Sequence, residues 1–122
     1  MPSTSLVAAI RASDRGALAE LLSDDVAFHS PVTDYRGRDQ VVHLLATIGT
    51  VIDDVRVRRE LSEREETVAF IEGSIGGRAV EGVLDQIHDE AGRVSELTLV
   101  LRPLDVLLEG VKRMGAALGD PR

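Results

Sequence analysis

Four stretches of the chain place apolar residues three or four positions apart, which is the spacing of one face of an α-helix. The first covers residues 5–12, and the second follows Ser13 or Asp14, either of which can cap a helix. The two longer stretches carry apolar stripes at Val41, Leu44, Leu45, Ile48 and Ile52, and at Leu104, Leu107, Leu108, Val111 and Leu118. The pattern therefore predicts four helices.

Five other stretches contain the alternating apolar and polar residues of β-strands. The first spans residues 26–30 and is stopped by Pro31, and the others cover residues 55–61, 68–75, 79–88 and 94–102. Short loops with glycine at 76–77 and 92 join the last three, so we expect these strands to pair antiparallel. The order of elements predicts an α+β fold in which an antiparallel sheet of about five strands is covered by helices.

Composition narrows the possible partners. The 122 residues fit one domain, spanning 1–122, and the net charge of −7 argues against nucleic acid and anionic membranes. Without cysteine there is no disulfide or thiolate, and the three histidines lack ligand spacing, so we expect no metal and no cofactor. The first residues lack a basic segment followed by a long apolar stretch, which predicts a cytoplasmic protein.

Residues 21–32, which read LLSDDVAFHSPV, resemble the passage from helix to first strand in SnoaL-like, nuclear-transport-factor-like proteins. Residues 35–39 (YRGRD), 89–94 (DEAGRV) and 100–104 (VLRPL) resemble later parts of the same family. The resemblance implies a cone, in which a curved sheet wraps around the helices and encloses a pocket, and often a homodimer. It implies no single activity, because the fold serves isomerases, hydrolases, dehydratases, cyclases and non-catalytic binders.

Alternate residues of a strand share a face, so the more apolar set should face the helices and line the pocket. Alignment of the first strand with ketosteroid isomerases adds two positions, and a loop residue, Tyr35, would roof the pocket. The candidate ligand-binding residues are Phe28, Ser30, Tyr35, Leu45, Ile71, Leu84, Gln86, Leu97 and Leu99. A slip of one residue would instead turn Glu72, Glu81 and Asp85 inward.

The pattern offers little catalytic chemistry, and we assign no catalytic residue. Ketosteroid isomerases need a carboxylate base, a tyrosine and a protonated acid, and the corresponding positions here read Ser30, Leu6 and Leu84. A His–Asp pair would need a histidine in the pocket. Because neighbouring residues of a strand face opposite sides of the sheet, His29 should face away from the side of Phe28. Neither of the other two histidines lies on an inward-facing apolar stripe.

Three hypotheses remain. The first is a protein that binds a hydrophobic small molecule in a mostly apolar pocket. The second is a general acid–base enzyme on the same fold, of hydrolase, dehydratase, isomerase or cyclase type. The third is a dimeric interaction module with a collapsed pocket. A homodimer would form through the outer sheet face, where Phe70, Val83 and Val100 supply apolar area.

Overall fold

The computed structural model describes residues 2–119, and their side chains from Ser5 onward. Four helices and six strands make up the fold. In chain order they are α1 (Pro2–Arg11), α2 (Arg15–Leu21), β1 (Leu22–His29), β2 (Asp34–Arg36), α3 (Arg38–Val51), β3 (Asp53–Glu63), β4 (Glu66–Ile75), β5 (Arg78–His88), β6 (Val94–Arg102) and α4 (Leu104–Ala117). The predicted α+β fold is confirmed, with one strand more than expected.

The six strands form one sheet in the order β2-β1-β6-β5-β4-β3. The strands from β3 to β6 pair antiparallel, as the short loops predict, but β1 lies parallel to β6. The expectation of a purely antiparallel sheet is therefore corrected. No hairpin joins β1 to β6, and the long connection through α3 and four strands leaves their relative direction free.

The additional strand is β2, which we expected to be part of a loop. It pairs antiparallel with β1, and Tyr35 lies opposite Phe28. The turn between them is closed by the backbone of Ser30, whose amide donates to the carbonyl of Thr33 at 3.0 Å. This three-residue segment lacks the alternating apolar residues of a typical strand. It forms an edge strand because the local turn brings it alongside β1.

Close packing joins the end of α1 to α3. A Cβ atom placed on Gly49 would lie 1.8 Å from the carbonyl oxygen of Ile10, so only glycine allows this approach. Beside this contact the Ser13 hydroxyl donates to the Ala46 carbonyl at 2.8 Å. Gly49 weakens α3 as an isolated helix, but it permits the contact that holds the two helices together.

The inner sheet face carries the core, in the register that strand parity predicts. Leu84 lies between Ala69 and Leu99 on the neighbouring strands, and all three side chains are buried. On the outer face Glu81 pairs with Glu72 and Arg102, which puts Glu72, Glu81 and Asp85 on the side away from the helices. Bulges in β1, β3 and the end of β5 bend this sheet.

Helix α4 packs across one end of the curved sheet. Its Val106 and Gly110 are buried, and Gly110 lies against Ile75, whose Cδ1 would be 2.9 Å from an added Cβ. An ion pair between Arg78 and Asp105 ties the helix to the start of β5. Within residues 2–119, no helix has the length and apolar character that crossing a bilayer requires.

Candidate functional site

A cavity of about 260 Å³ lies where α3 and α4 meet the wide end of the sheet. It is open to solvent on one side. Most of its lining is aliphatic or aromatic. The lining residues are Phe28, Ser30, Pro31, Val32, Tyr35, Leu44, Ile48, Val51, Ile52, Ile75, Leu99, Leu101, Leu107, Gly110, Val111, Met114, Gly115 and Leu118. Four of the nine residues predicted for the pocket line this cavity, namely Phe28, Ser30, Tyr35 and Leu99.

Two aromatic side chains form one wall. Phe28 projects inward from β1 and is 1% exposed, and Tyr35 projects from the neighbouring β2. Their ring centroids lie 6.3 Å apart and the ring planes differ by 28°, so the rings stack side by side. The pairing of β1 with β2 is therefore what brings Tyr35 to the cavity.

Helix α4 supplies the opposite wall. Its cavity-lining side chains include Leu107, Val111, Met114 and Leu118, which recur at the three- and four-residue spacing of one helix face. Only part of the predicted apolar stripe turns inward, because Leu104 and Leu108 are 67% and 57% exposed. The stripe identified an apolar face but did not indicate that this face borders an open space.

Within residues 5–119, two polar side chains border the cavity, Ser30 and Tyr35, and they differ in their hydrogen bonds. The Ser30 hydroxyl donates to the carbonyl of Thr33 at 2.7 Å and accepts from the amides of Val32 and Thr33, both at 3.1 Å. It is fully engaged in its own turn. The contact that the Tyr35 side chain makes within residues 5–119 is the ring stacking with Phe28, and its hydroxyl has no hydrogen bond to a residue in that range. Among the lining side chains, Tyr35 therefore carries the polar group that remains available to a ligand.

The other five predicted pocket residues lie deeper. Leu45, Ile71 and Leu84 border a second space of only about 10 Å³, whereas Gln86 and Leu97 line neither space and are 0% exposed. Helix α1 explains why these residues do not border the larger cavity. Its buried side chains Leu6, Val7 and Ile10 fill the narrow end of the cone, where the alternation of residues along the strands predicts an open interior.

Gln86 is unusual within this core. Neither its amide nitrogen nor its amide oxygen has a hydrogen-bond partner among the described residues, although the side chain is completely buried. Its cross-strand neighbours are Thr67 and Leu97. A buried amide without partners loses the hydrogen bonds that water gives it in the unfolded chain.

None of the three histidines borders the cavity. His29 lies on the outer face, where its Nδ1 is 2.9 Å from Oδ1 of Asp34 and its Nε2 is 2.8 Å from Oε2 of Glu96. Hydrogen bonds to Asp34 and then to Glu96 raise the pKa of His29 above its ordinary value. His43 contacts Arg15, and His88 contacts the Glu65 carbonyl.

A carboxyl pair also lies outside the cavity. A hydrogen bond with Asp85, followed by the charge of that carboxylate, raises the pKa of Glu66 above its ordinary value. Both side chains belong to the outer sheet face. Among residues 5–119, whose side chains the structure describes, no Asp, Glu, His, Lys or Arg lines the cavity, so no general acid or base of these types within that range contacts it. Within the same range, Tyr35 is the sole ionisable side chain of the lining.

Several lining residues were not predicted, and most belong to α4 or to the segment after β1. Leu101 continues the inward parity of Leu97 and Leu99 and could have been found from that alternation. Met114 and Gly115 carry no comparable signal, because their position depends on how α4 docks against α3.

Comparison with known families matches residues 4–102 to the SnoaL-like domain. No curated protein matches the chain. A bacterial protein with a cystatin-like fold from Silicibacter pomeroyi is similar in structure, with a TM-score of 0.92 and 23% identity over 98% of this chain and 86% of the other. A steroid delta-isomerase from Pseudomonas aeruginosa has a TM-score of 0.85 and 28% identity over 92% and 85% of the two chains.

A third similar structure is a protein from Catenulispora acidiphila with a ketosteroid isomerase-like fold, solved in complex with trimethylamine. Its TM-score is 0.71, with 17% identity over 90% of this chain and 92% of the other. These structures agree with the fold described above. The region that matches the family covers α1 to β6, which is most of the chain. The protein therefore belongs to the SnoaL-like domain family.

Proposed function

We propose that this protein binds a small hydrophobic molecule in the cavity between α3, α4 and the sheet. The observation that carries the proposal is the cavity itself, about 260 Å³ in volume and lined almost entirely by apolar side chains. Sites for small molecules are typically concave and apolar, with a few polar groups that orient the ligand. Tyr35 is the candidate for such a group.

An acid–base enzyme is less well supported. General acid–base catalysis needs a titratable group within hydrogen-bond reach of the reacting atom. His29, Glu66 and Asp85 lie on the outer face. The name of the Pseudomonas aeruginosa relative suggests isomerase activity for that protein. The resemblance to ketosteroid isomerases implies that Leu6 and Leu84 stand here at two of the three positions where those enzymes carry polar groups.

Two of the similar structures support small-molecule binding in general terms. One is named for a steroid as its substrate, and another was solved in complex with trimethylamine. Neither name identifies a ligand for this chain. Both structures are consistent with a fold that binds small molecules. They favour small-molecule binding over a role confined to protein–protein contact.

The test uses tetralin, a neutral bicyclic hydrocarbon, as the probe. Binding to the full chain is measured by ligand-observed NMR and by the rise in melting temperature, since a ligand that binds only the folded state stabilises it. Saturable binding with a rise in melting temperature is expected. Absence of both would contradict the proposal for a ligand of this kind.

A plugged variant locates the site. Gly115 lines the cavity, and a Cβ atom added there would have no neighbour within 4 Å, so Gly115→Leu fits without a backbone clash. It should abolish tetralin binding and leave the fold intact, because leucine also favours the helix. The matched control, Ala116→Leu, adds a similar side chain at an exposed position of the same helix and should keep binding. Equal binding by both variants would exclude this cavity as the site.

A further inference from the structure

We propose that the ligand is an uncharged carbonyl compound of roughly ten non-hydrogen atoms, and that the Tyr35 hydroxyl donates a hydrogen bond to its carbonyl oxygen. This inference rests on the proposed function and concerns the same cavity. It follows from three properties of the site within the described residues: its volume, the absence of charged side chains from its lining, and the difference in hydrogen bonding between the hydroxyl groups of Ser30 and Tyr35.

The volume limits the size of the ligand. An apolar cavity of about 150 Å³ holds one benzene molecule, so a cavity of about 260 Å³ has room for roughly ten carbon atoms. That corresponds to a compact two-ring compound or a short branched chain. A four-ring steroid skeleton is larger than this cavity and would project from its mouth.

The lining argues against a charged ligand. No charged side chain of the described part of the chain borders the cavity, so an ion moved from water into this site would lose its hydration without gaining a partner there. The aromatic wall does not offset this loss for an ammonium group. Phe28 and Tyr35 stack nearly parallel, so they do not form the several-sided cage that binds quaternary ammonium ions.

The two hydroxyl groups determine which polar group the ligand should carry. Ser30 already donates one hydrogen bond and accepts two within its own turn, which leaves Tyr35 as the available group. A tyrosine hydroxyl can donate one proton and can accept as well. A carbonyl oxygen takes that proton and brings none of its own. An alcohol and Tyr35 can share one hydrogen bond, so one of their two hydroxyl protons would be left without an acceptor among the described lining side chains.

The arrangement of β1 and β2 holds the donor in place. Tyr35 lies opposite Phe28 in the strand pair, and its neighbour Asp34 contacts His29 at 2.9 Å. A hydroxyl on a ring that is stacked and held by a strand needs little reorganisation when a ligand arrives. We therefore assign Tyr35 as the residue that selects for a carbonyl group and the apolar walls as the source of most of the affinity.

The experiment compares tetralin with 1-tetralone, which differ by a single carbonyl group, on the full chain and on Tyr35→Phe. The wild-type chain should bind 1-tetralone about 3- to 10-fold more tightly than tetralin, which is the range expected for one net hydrogen bond. Tyr35→Phe keeps the ring and removes the donor, so it should bind 1-tetralone and tetralin with nearly equal affinity. Two charged probes, 1-naphthoate and tetramethylammonium, should bind at least 10-fold more weakly than 1-tetralone.

Each other outcome overturns a distinct claim. Tetralin binding without a preference for 1-tetralone, or a preference that survives Tyr35→Phe, would overturn the carbonyl assignment and leave the proposed function intact. Comparable binding of either charged probe would overturn the requirement for an uncharged ligand. Failure of both neutral probes to bind would contradict the proposed function itself, and this inference with it.

Discussion

The Nε2 atom of His29 lies 2.8 Å from a carboxylate oxygen of Glu96, which joins β1 to β6 on the outer face of the sheet. The other ring nitrogen lies 2.9 Å from Asp34 on β2. Only the protonated imidazole can donate from both nitrogens, so the two carboxylates favour the charged form and raise the pKa of His29. This residue therefore makes the stability of the folded chain depend on pH.

The sign follows from the raised pKa. Because the folded state binds the proton more tightly than the unfolded state, the contribution of His29 to stability is fully present below the ordinary histidine pKa of 6.5 and is lost as pH rises through the higher folded value. NMR titration of the imidazole should show the raised pKa directly. Urea unfolding should show that the free energy of unfolding falls between about pH 6 and about pH 9. In His29→Gln this fall should be smaller, because the titrating group is gone.

His43 provides the matched control, since it contacts Arg15 in place of two carboxylates. His43→Gln should leave most of the pH dependence in place. If His29→Gln and His43→Gln unfold identically at every pH, the contacts with Asp34 and Glu96 do not stabilise the fold.

Replacing Gly49 with alanine should destabilise the protein. The added Cβ would lie 1.8 Å from the Ile10 carbonyl oxygen, so α1 and α3 must separate. Forced overpacking of this kind costs about 1–3 kcal/mol or more in the free energy of unfolding, measured by urea denaturation. Gly16→Ala, where the nearest atom is 3.7 Å away, should instead be neutral or slightly stabilising. A Gly49→Ala variant as stable as the wild type would refute the close helix contact.

Replacing Gln86 with methionine should stabilise the protein. The side chain is completely buried and its amide has no partner among the described residues, whereas methionine fills a similar volume without a polar group to desolvate. The expected gain is about 1–2 kcal/mol in the free energy of unfolding. The neighbouring Thr67→Val is a useful contrast, because the Thr67 hydroxyl lies 3.1 Å from that of Ser62 and its loss should not stabilise. A loss of stability in Gln86→Met would show that the amide has a favourable interaction.

The expected homodimer remains a prediction. Val100 is 52% exposed on the outer sheet face, next to the half-buried Val83 on β5. If two copies meet through this face, light scattering coupled to size exclusion should give twice the chain mass, and Val100→Asp should give a monomer. Leu104→Asp, at an exposed position of α4, should leave the dimer unchanged. A monomeric wild type would contradict this expectation.

Much of the fold could be predicted from the sequence, because burial on one face forces apolar residues into alternate positions of a strand. Leu97 and Leu99 on β6 show this alternation and are buried. The strand β2 could not be predicted, since its three residues include two exposed charged side chains and its pairing depends on the Ser30 turn.

The location of the cavity was harder to predict than the direction of the strands. Leu84 and Leu99 both point inward, yet Leu84 borders only the space of about 10 Å³ and Leu99 also borders the larger cavity. Their difference depends on how far the α1 side chains reach into the cone, and this is a property of packing between distant segments. A pattern along one strand carries no information about that distance.

The similarity to the SnoaL-like domain ends at residue 102, and the helix that closes the cavity begins at Leu104. The family match thus covers the sheet and the first three helices, whereas α4 lies within the 98% of the chain that aligns with the Silicibacter pomeroyi structure. Helix α4 contacts the rest of the fold through Val106, Gly110, its inward apolar face and the ion pair between Asp105 and Arg78, and it takes no part in the strand pairing. Exchange of this single helix would reshape the cavity, so α4 is the segment whose variation should alter the size of any molecule that the cavity accepts.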